Sequence, residues 1–138
     1  MGSDKNVDPD GYRSRIRRFV TSNIPKGGLD FSKGEVFADG LRNTVGLAFD
    51  SQGTLWGVEN GADKLYRSDL GGDIHNENPA EELNKIEKGK DYGYPFCFTE
   101  FKLPAGIGKG RGSVWSWSTY KKSDAWCRAN TVPPVLAL

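Results

Sequence analysis

The residues best suited to chemistry are Arg42 and Asn43, which lie in a turn directly before a predicted strand. An arginine guanidinium can bind a carboxylate at two points, and an asparagine amide offers both a donor and an acceptor. Together the two side chains could hold an anionic ligand. On residue types alone, the alternative that Arg42 is an ordinary surface residue stands ahead of this hypothesis.

No other group of residues forms a catalytic set. The single histidine, His75, lies in a polar loop and is expected to face solvent, and no nucleophile has a nearby histidine. The glycine-rich residues 106–112 lack the Gly-Lys-Ser/Thr ending of a phosphate loop, so we expect a flexible loop. The neighbouring acids Glu81 and Glu82 are expected to point apart. The sequence therefore predicts no catalytic residue within the chain.

Two cysteines, Cys97 and Cys127, allow two interpretations. They could close a surface loop as a disulfide, or they could be independent buried thiols. No cysteine and histidine spacing typical of a metal site occurs, because the chain has one histidine. The residues themselves leave both interpretations open.

Composition excludes several classes of partner. The 138 residues carry a formal net charge of +1, so no large field would attract nucleic acid. No apolar run is long enough for a transmembrane helix, and the first residues contain no apolar signal-peptide core.

Short strands must position the candidate residues. The chain contains 18 glycines, 7 prolines and 12% aromatic residues, which is typical of short strands joined by tight turns. Apolar residues alternate along 45–49, which predicts a half-buried strand, and residues 54–58 and 64–67 predict a second and a third. Such an antiparallel meander builds propeller blades when it is repeated radially, and it is also compatible with a barrel.

Further elements are weaker in pattern. Residues 13–20, 34–38 and 84–87 are predicted strands, the first with arginines on a solvated face rather than on a nucleic-acid surface. Asn78, followed by a proline, predicts a helix start and one helical turn through about Leu83.

Aromatic residues are dense near the end of the chain. They are expected to pack in the core or between blades, with a sugar-stacking platform as the alternative. These residues are Trp115, Trp117, Tyr120 and Trp126.

Four linked motifs resemble the soluble quinoprotein glucose/sorbosone dehydrogenases. Residues 40–50 are similar to the family's G-x-R-N-x-x-G-L-A-x-D run, and residues 55–63 to its L-W-x-x-E-x-G element. Residues 82–86 resemble E-L-N-x-I, and residues 89–95 resemble G-x-x-Y-G-W/Y-P. Their order and spacing agree apart from a longer loop at about 68–80. The end of the chain looks like the eukaryotic, pyranose dehydrogenase-like branch.

The resemblance implies an all-β fold, a six-bladed, TolB-like β-propeller in the intact protein. Because a blade takes roughly 40–50 residues, residues 1–138 would be a partial propeller of about three blades. The family implies pyrroloquinoline quinone (PQQ) and calcium as cofactors, a sugar as substrate and an external electron acceptor such as a cytochrome. Arg42 and Asn43 would contact the quinone, and the backbone carbonyls of Gly61 and Ala62 would help to hold calcium.

Departures from the family pattern matter for activity. The family's catalytic histidine precedes the Arg-Asn motif, and this chain has no histidine before Arg42. The chain alone is therefore expected to be an inactive fragment of a sugar dehydrogenase, secreted as the family implies. The alternatives are a non-catalytic propeller that binds carbohydrate or protein, and, with less support, a lactonase-type hydrolase.

Overall fold

A computed structural model describes residues 13–117, 119 and 121–138. The described residues are mostly short strands and loops, with one α-helix, α1 (Asp124–Asn130). The strands are β1 (Arg15–Arg18), β2 (Glu35–Asp39), β3 (Thr44–Phe49), β4 (Leu55–Glu59), β5 (Tyr66–Arg67), β6 (Gly72–Asp73), β7 (Glu82–Ile86), β8 (Lys90–Asp91), β9 (Cys97–Thr99), β10 (Val114–Ser116) and β11 (Leu136–Ala137). In the described part of the chain, no helix is long and apolar enough to cross a membrane.

The largest sheet has four strands in the order β11-β7-β4-β3, all antiparallel. The first two predicted strands of the meander, β3 and β4, are confirmed as a pair. A strand, β5, lies within the predicted third segment, but its predicted place in the meander is wrong. β5 pairs with β6 in a separate ribbon, and β7 takes the place beside β4. The chain leaves the sheet after Glu59 and returns only at Glu82, a long-range pairing that local turn signals cannot report.

The predicted helical turn at Asn78 is also wrong, because the chain there leads into strand β7. The Asn78 side chain does not cap a helix. Its carbonyl oxygen accepts hydrogen bonds from the backbone N–H groups of Phe101 and Lys102, at 2.9 and 3.1 Å. Its amide donates to the Lys102 carbonyl at 2.7 Å. Asn78 thus fastens one loop to another.

Helix α1 was not predicted, although a cap residue precedes it. The Ser123 side chain accepts from the backbone N–H of Trp126 at 3.0 Å, which satisfies one free donor of the first turn. A disulfide joins Cys127 of this helix to Cys97 of β9. Of the two interpretations of the cysteines, the structure has the disulfide.

Buried apolar residues form three clusters. One lies under the β5–β6 ribbon and includes Trp115 and Trp117, so the core role predicted for these aromatics is confirmed. A second joins the β1-β2-β8 sheet to the large sheet through Ala38, Leu41 and Ile86. The third surrounds the disulfide. The predicted aromatic at position 120 lies outside the described residues.

One face of the large sheet is open. Partners in register lie on the same face, which places Gly46, Val58, Leu83 and Leu136 together, and Val58 and Leu136 are exposed. On the opposite face Ile86 is buried in the second cluster.

The edge strand β3 is exposed as well. Its side chains Val45, Leu47 and Phe49 are uncovered, Phe49 to 73%. The strand predicted there exists, but its predicted half-burial is wrong for this structure, because no described element packs over these side chains. The alternation that suggested burial is nevertheless present in the strand.

Candidate functional site

The Arg42–Asn43 turn connects β2 to β3 and depends on a glycine before it. Gly40 has a φ of +75°, a backbone conformation that is strained for any residue with a side chain larger than hydrogen. A Cβ at this position would also lie 2.2 Å from the Asp91 carboxylate and 2.5 Å from the Gly93 nitrogen. Glycine is therefore required for the turn to approach the following segment so closely.

The Arg42 side chain is held in place at two points. Its Nη1 donates to the Gly61 carbonyl at 2.7 Å, and its Nη2 donates to Asp63 Oδ2 at 2.8 Å. The Arg42 side chain is only 13% exposed, whereas that of Asp63 is 62% exposed. The guanidinium is thus fixed by a backbone carbonyl, and its second partner is a solvated carboxylate.

The other two predicted residues lie in the same pair of turns. The Asn43 side chain is exposed, and the Asn43 carbonyl accepts from the Asn60 backbone N–H at 3.1 Å. Ala62 is partly buried against the first apolar cluster. The structure therefore brings all four predicted residues, Arg42, Asn43, Gly61 and Ala62, to the turns at one end of the β3–β4 pair.

Sequence reasoning missed Glu59, the last residue of β4. The Glu59 carboxylate is buried, with 7% of the residue exposed, and accepts three hydrogen bonds of 2.5 Å. The donors are the backbone N–H groups of Arg42 and Asn43 and the Thr44 hydroxyl. The signal was present, since Glu59 is the acid of the L-W-x-x-E-x-G element.

Two further acids, Glu81 and Glu82, lie near the Arg42–Asn43 turn. Arg42 of this turn lines a small cavity together with Glu59 and Glu82. Glu81 is exposed and its Oε2 accepts from the Gly61 N–H at 3.2 Å. Glu82 accepts from the buried Asn84 amide at 2.9 Å, and burial raises the pKa of the Glu82 carboxyl. The two neighbouring acids therefore bind different partners, Glu81 at the surface and Glu82 in the interior.

The fit of a calcium ion to these residues is incomplete. The carbonyls of Gly61 and Ala62 are oxygen donors of the kind that calcium prefers, but calcium takes about six to eight oxygens. The described residues contain no cluster of three or more acids, histidines or cysteines that could bind a metal. The Arg42 guanidinium also occupies the Gly61 carbonyl, and its positive charge disfavours a cation there.

The fit of an anionic ligand is better. Arg42 offers a positioned guanidinium that lines the cavity, whereas Asn43, the next residue in the chain, is exposed and is not among the residues that line it. His75 does not take part: it is exposed in the 71–80 loop, contacts Asp73, and does not line the cavity.

Comparison with known proteins identifies relatives of the whole chain. The TrAA12-like family model matches residues 1–138. A PQQ-dependent pyranose dehydrogenase from Coprinopsis cinerea is 35% identical over 156 residues, which cover 100% of this chain and 21% of the relative. A PQQ-dependent sugar dehydrogenase from Hypocrea jecorina is 32% identical, over 98% of this chain and 36% of the relative.

Solved structures that superpose on this chain belong to the same kinds of protein as these relatives. The holo form of the pyranose dehydrogenase PQQ domain from Coprinopsis cinerea superposes with a TM-score of 0.81 at 33% identity, covering 91% of this chain and 34% of that one. A calcium structure of the family AA12 enzyme from Trichoderma reesei gives a TM-score of 0.79 at 33% identity, covering 90% and 34%.

The chain spans between a fifth and about a third of the length of these relatives. Within that span, the resemblance to the pyranose dehydrogenase branch that the motifs indicated is confirmed. The chain belongs to the TrAA12-like family, whose members similar to it include PQQ-dependent sugar dehydrogenases.

Proposed function

We propose that this chain is the part of a PQQ-dependent sugar dehydrogenase that holds the quinone. The observation that carries the proposal is the fixed guanidinium of Arg42, whose side chain is bound to the Gly61 carbonyl, only 13% exposed, and part of the lining of the cavity. PQQ carries carboxylates, and a pre-positioned guanidinium binds a carboxylate with little loss of side-chain freedom.

The roles of the residues follow from their contacts. Arg42 binds an anionic group of the quinone by exchanging its solvated partner Asp63 for the ligand. Asn43 adds a neutral hydrogen bond. Bound PQQ supplies the redox chemistry, accepting two electrons from a sugar, while the chain supplies orientation and charge.

Calcium is proposed as a second cofactor, with the carbonyls of Gly61 and Ala62 as two of its ligands. The Gly61 carbonyl has two lone pairs, one of which accepts from Arg42, so calcium would use the other, and further oxygens must come from the quinone, water or other residues. The proposal thus predicts that calcium and PQQ bind together rather than separately.

The proposed architecture of the intact protein is a six-bladed propeller. Its support is the large four-stranded sheet, which buries one face in a core and leaves apolar residues such as Val58 and Leu136 uncovered on the other. A blade that packs between two neighbours needs two apolar faces. The sugar substrate, an external electron acceptor and secretion are further expectations from the family.

An activity measurement tests the proposed function. The intact protein of which this chain is proposed to be a part is loaded with PQQ and calcium chloride and assayed with pyranoses and a dye as electron acceptor, beside its Arg42→Ala variant. Arg18→Ala is the matched control, because Arg18 pairs with Glu35 on the β1–β2 strands and does not line the cavity. Dye reduction that Arg42→Ala abolishes and Arg18→Ala preserves is the expected result. A folded protein that binds no PQQ and reduces no dye would overturn it and favour a non-catalytic propeller.

A further inference from the structure

The end of strand β4 holds Arg42 from two directions. Glu59, its last residue, binds the backbone N–H groups of Arg42 and Asn43 through one oxygen, Oε1, at 2.5 Å each. Two residues later, the Gly61 carbonyl binds the Arg42 side chain at 2.7 Å. The backbone and the side chain of Arg42 are therefore both fixed by the same strand end.

Burial explains why Glu59 holds the turn firmly. A carboxylate removed from water is costly unless hydrogen bonds replace its hydration. At 7% exposure, the Glu59 carboxylate has three donors to do so, the two amides on Oε1 and the Thr44 hydroxyl on Oε2. Moving the turn would break these hydrogen bonds and leave a buried acceptor without its donors, which is costly.

We propose that Glu59 is the positioning residue of the quinone site. It does not contact the Arg42 guanidinium, and it acts by fixing the backbone of residues 42–43 so that this guanidinium stays at the cavity. The proposal rests on the proposed function, because it assigns Glu59 to the same site.

Three substitutions separate hydrogen bonding from charge and from bulk. Glu59→Gln keeps an oxygen that can accept from both amides, and the Thr44 hydroxyl can reverse its bond to accept from the new amide. Glu59→Leu removes the acceptor but keeps much of the volume. Glu59→Asp keeps the charge but is one methylene too short to reach both amides, and it carries the test if Glu59→Leu does not fold.

Two readouts are measured for each variant. One is hydrogen exchange at the amides of Arg42 and Asn43, which needs no cofactor. The other is the Kd for PQQ in calcium chloride by calorimetric titration. We expect Glu59→Leu and Glu59→Asp to accelerate exchange at both amides and to raise the Kd at least about tenfold. Glu59→Gln should stay within about threefold of the unsubstituted chain in both readouts.

The outcomes distinguish this proposal from the function it rests on. Unchanged exchange and affinity in folded Glu59→Leu or Glu59→Asp would overturn the positioning role. A loss in Glu59→Gln as large as in Glu59→Leu would also overturn it, since charge rather than hydrogen bonding would then matter. If the unsubstituted chain binds no PQQ, the quinone site fails, whereas the exchange data still decide whether Glu59 fixes the turn.

Discussion

Replacing Cys97 and Cys127 by alanine removes the single cross-link that the two cysteines of the chain can form. The disulfide joins β9 to helix α1 and lies in an apolar cluster with Val114, where Cys127 is fully buried. Opening it frees the ends of a long loop in the unfolded chain. We expect the double variant to fold less stably.

The sequence separation sets the size of the effect. With a sequence separation of 30 between the cysteines, the loop-closure entropy lost from the unfolded state corresponds to about 3.6 kcal/mol at 25 °C. Domains of this size are stable by only about 5–15 kcal/mol. The variant is therefore predicted to lose a large fraction of its free energy of unfolding.

Guanidinium chloride unfolding of the chain, read by tryptophan fluorescence, measures this difference. The double variant Cys97→Ala/Cys127→Ala is compared with the oxidised chain, and the oxidised chain is compared with itself after reduction. Reduction should reproduce most of the loss, and the double variant should not respond to the reductant.

Two results would contradict the predicted loss of stability. A loss below about 1 kcal/mol would show that the bond does not constrain the unfolded chain as the entropy argument requires. Free thiols in the folded, air-oxidised chain would show that Cys97 and Cys127 are the separate buried thiols that the sequence also allowed.

Two further substitutions test charges near the site. Asp63→Asn removes a carboxylate that competes for Arg42. An exposed ion pair contributes about 0.2–1 kcal/mol, so PQQ should bind about 1.5- to 5-fold more tightly by calorimetry, and weaker binding would mean that Asp63 helps to hold the ligand. Burial, and to a lesser extent the charge of Asp39, raises the pKa of Asp91, so its ionised form costs stability at neutral pH. Asp91→Asn keeps an acceptor for the Gly93 N–H, bound at 2.8 Å, and should add about 0.5–2 kcal/mol to the free energy of unfolding at pH 7. That gain should vanish as the pH falls through the raised pKa of Asp91 to below its unfolded value of about 3.9. Urea unfolding at pH 7 and at a pH below that value measures the gain. A gain that persists in acid would contradict the prediction.

The sequence predicted those elements whose signals are local. Strands β3 and β4 follow from apolar alternation on either side of a glycine turn, and both exist. The predicted place of the third strand was wrong, because β5, which lies within residues 64–67, pairs with β6. The true partner of β4 lies across a long loop. A hydrophobic period shows that a segment is extended and gives no information about its partner.

The remaining predictions depended on which of several possible partners a side chain binds. Asn78 has the residue type of a helix cap, yet its side chain binds the backbone at Phe101 and Lys102, far along the chain. In the candidate site, the sequence motif indicated Arg42 and Asn43. The next motif contains Glu59, but its contact could not be predicted, because it depends on a buried carboxylate at the end of β4 meeting two backbone N–H groups of the turn before β3.

The central claim is that Arg42 belongs to a site for an anionic quinone. Calorimetric titration of PQQ with calcium chloride into the chain tests it most directly, beside Arg42→Ala and the control Arg18→Ala. We expect saturable binding that Arg42→Ala abolishes and Arg18→Ala preserves, and that is stronger with calcium than without. Binding of equal strength in the folded Arg42→Ala variant, or no binding by the folded chain, would contradict it.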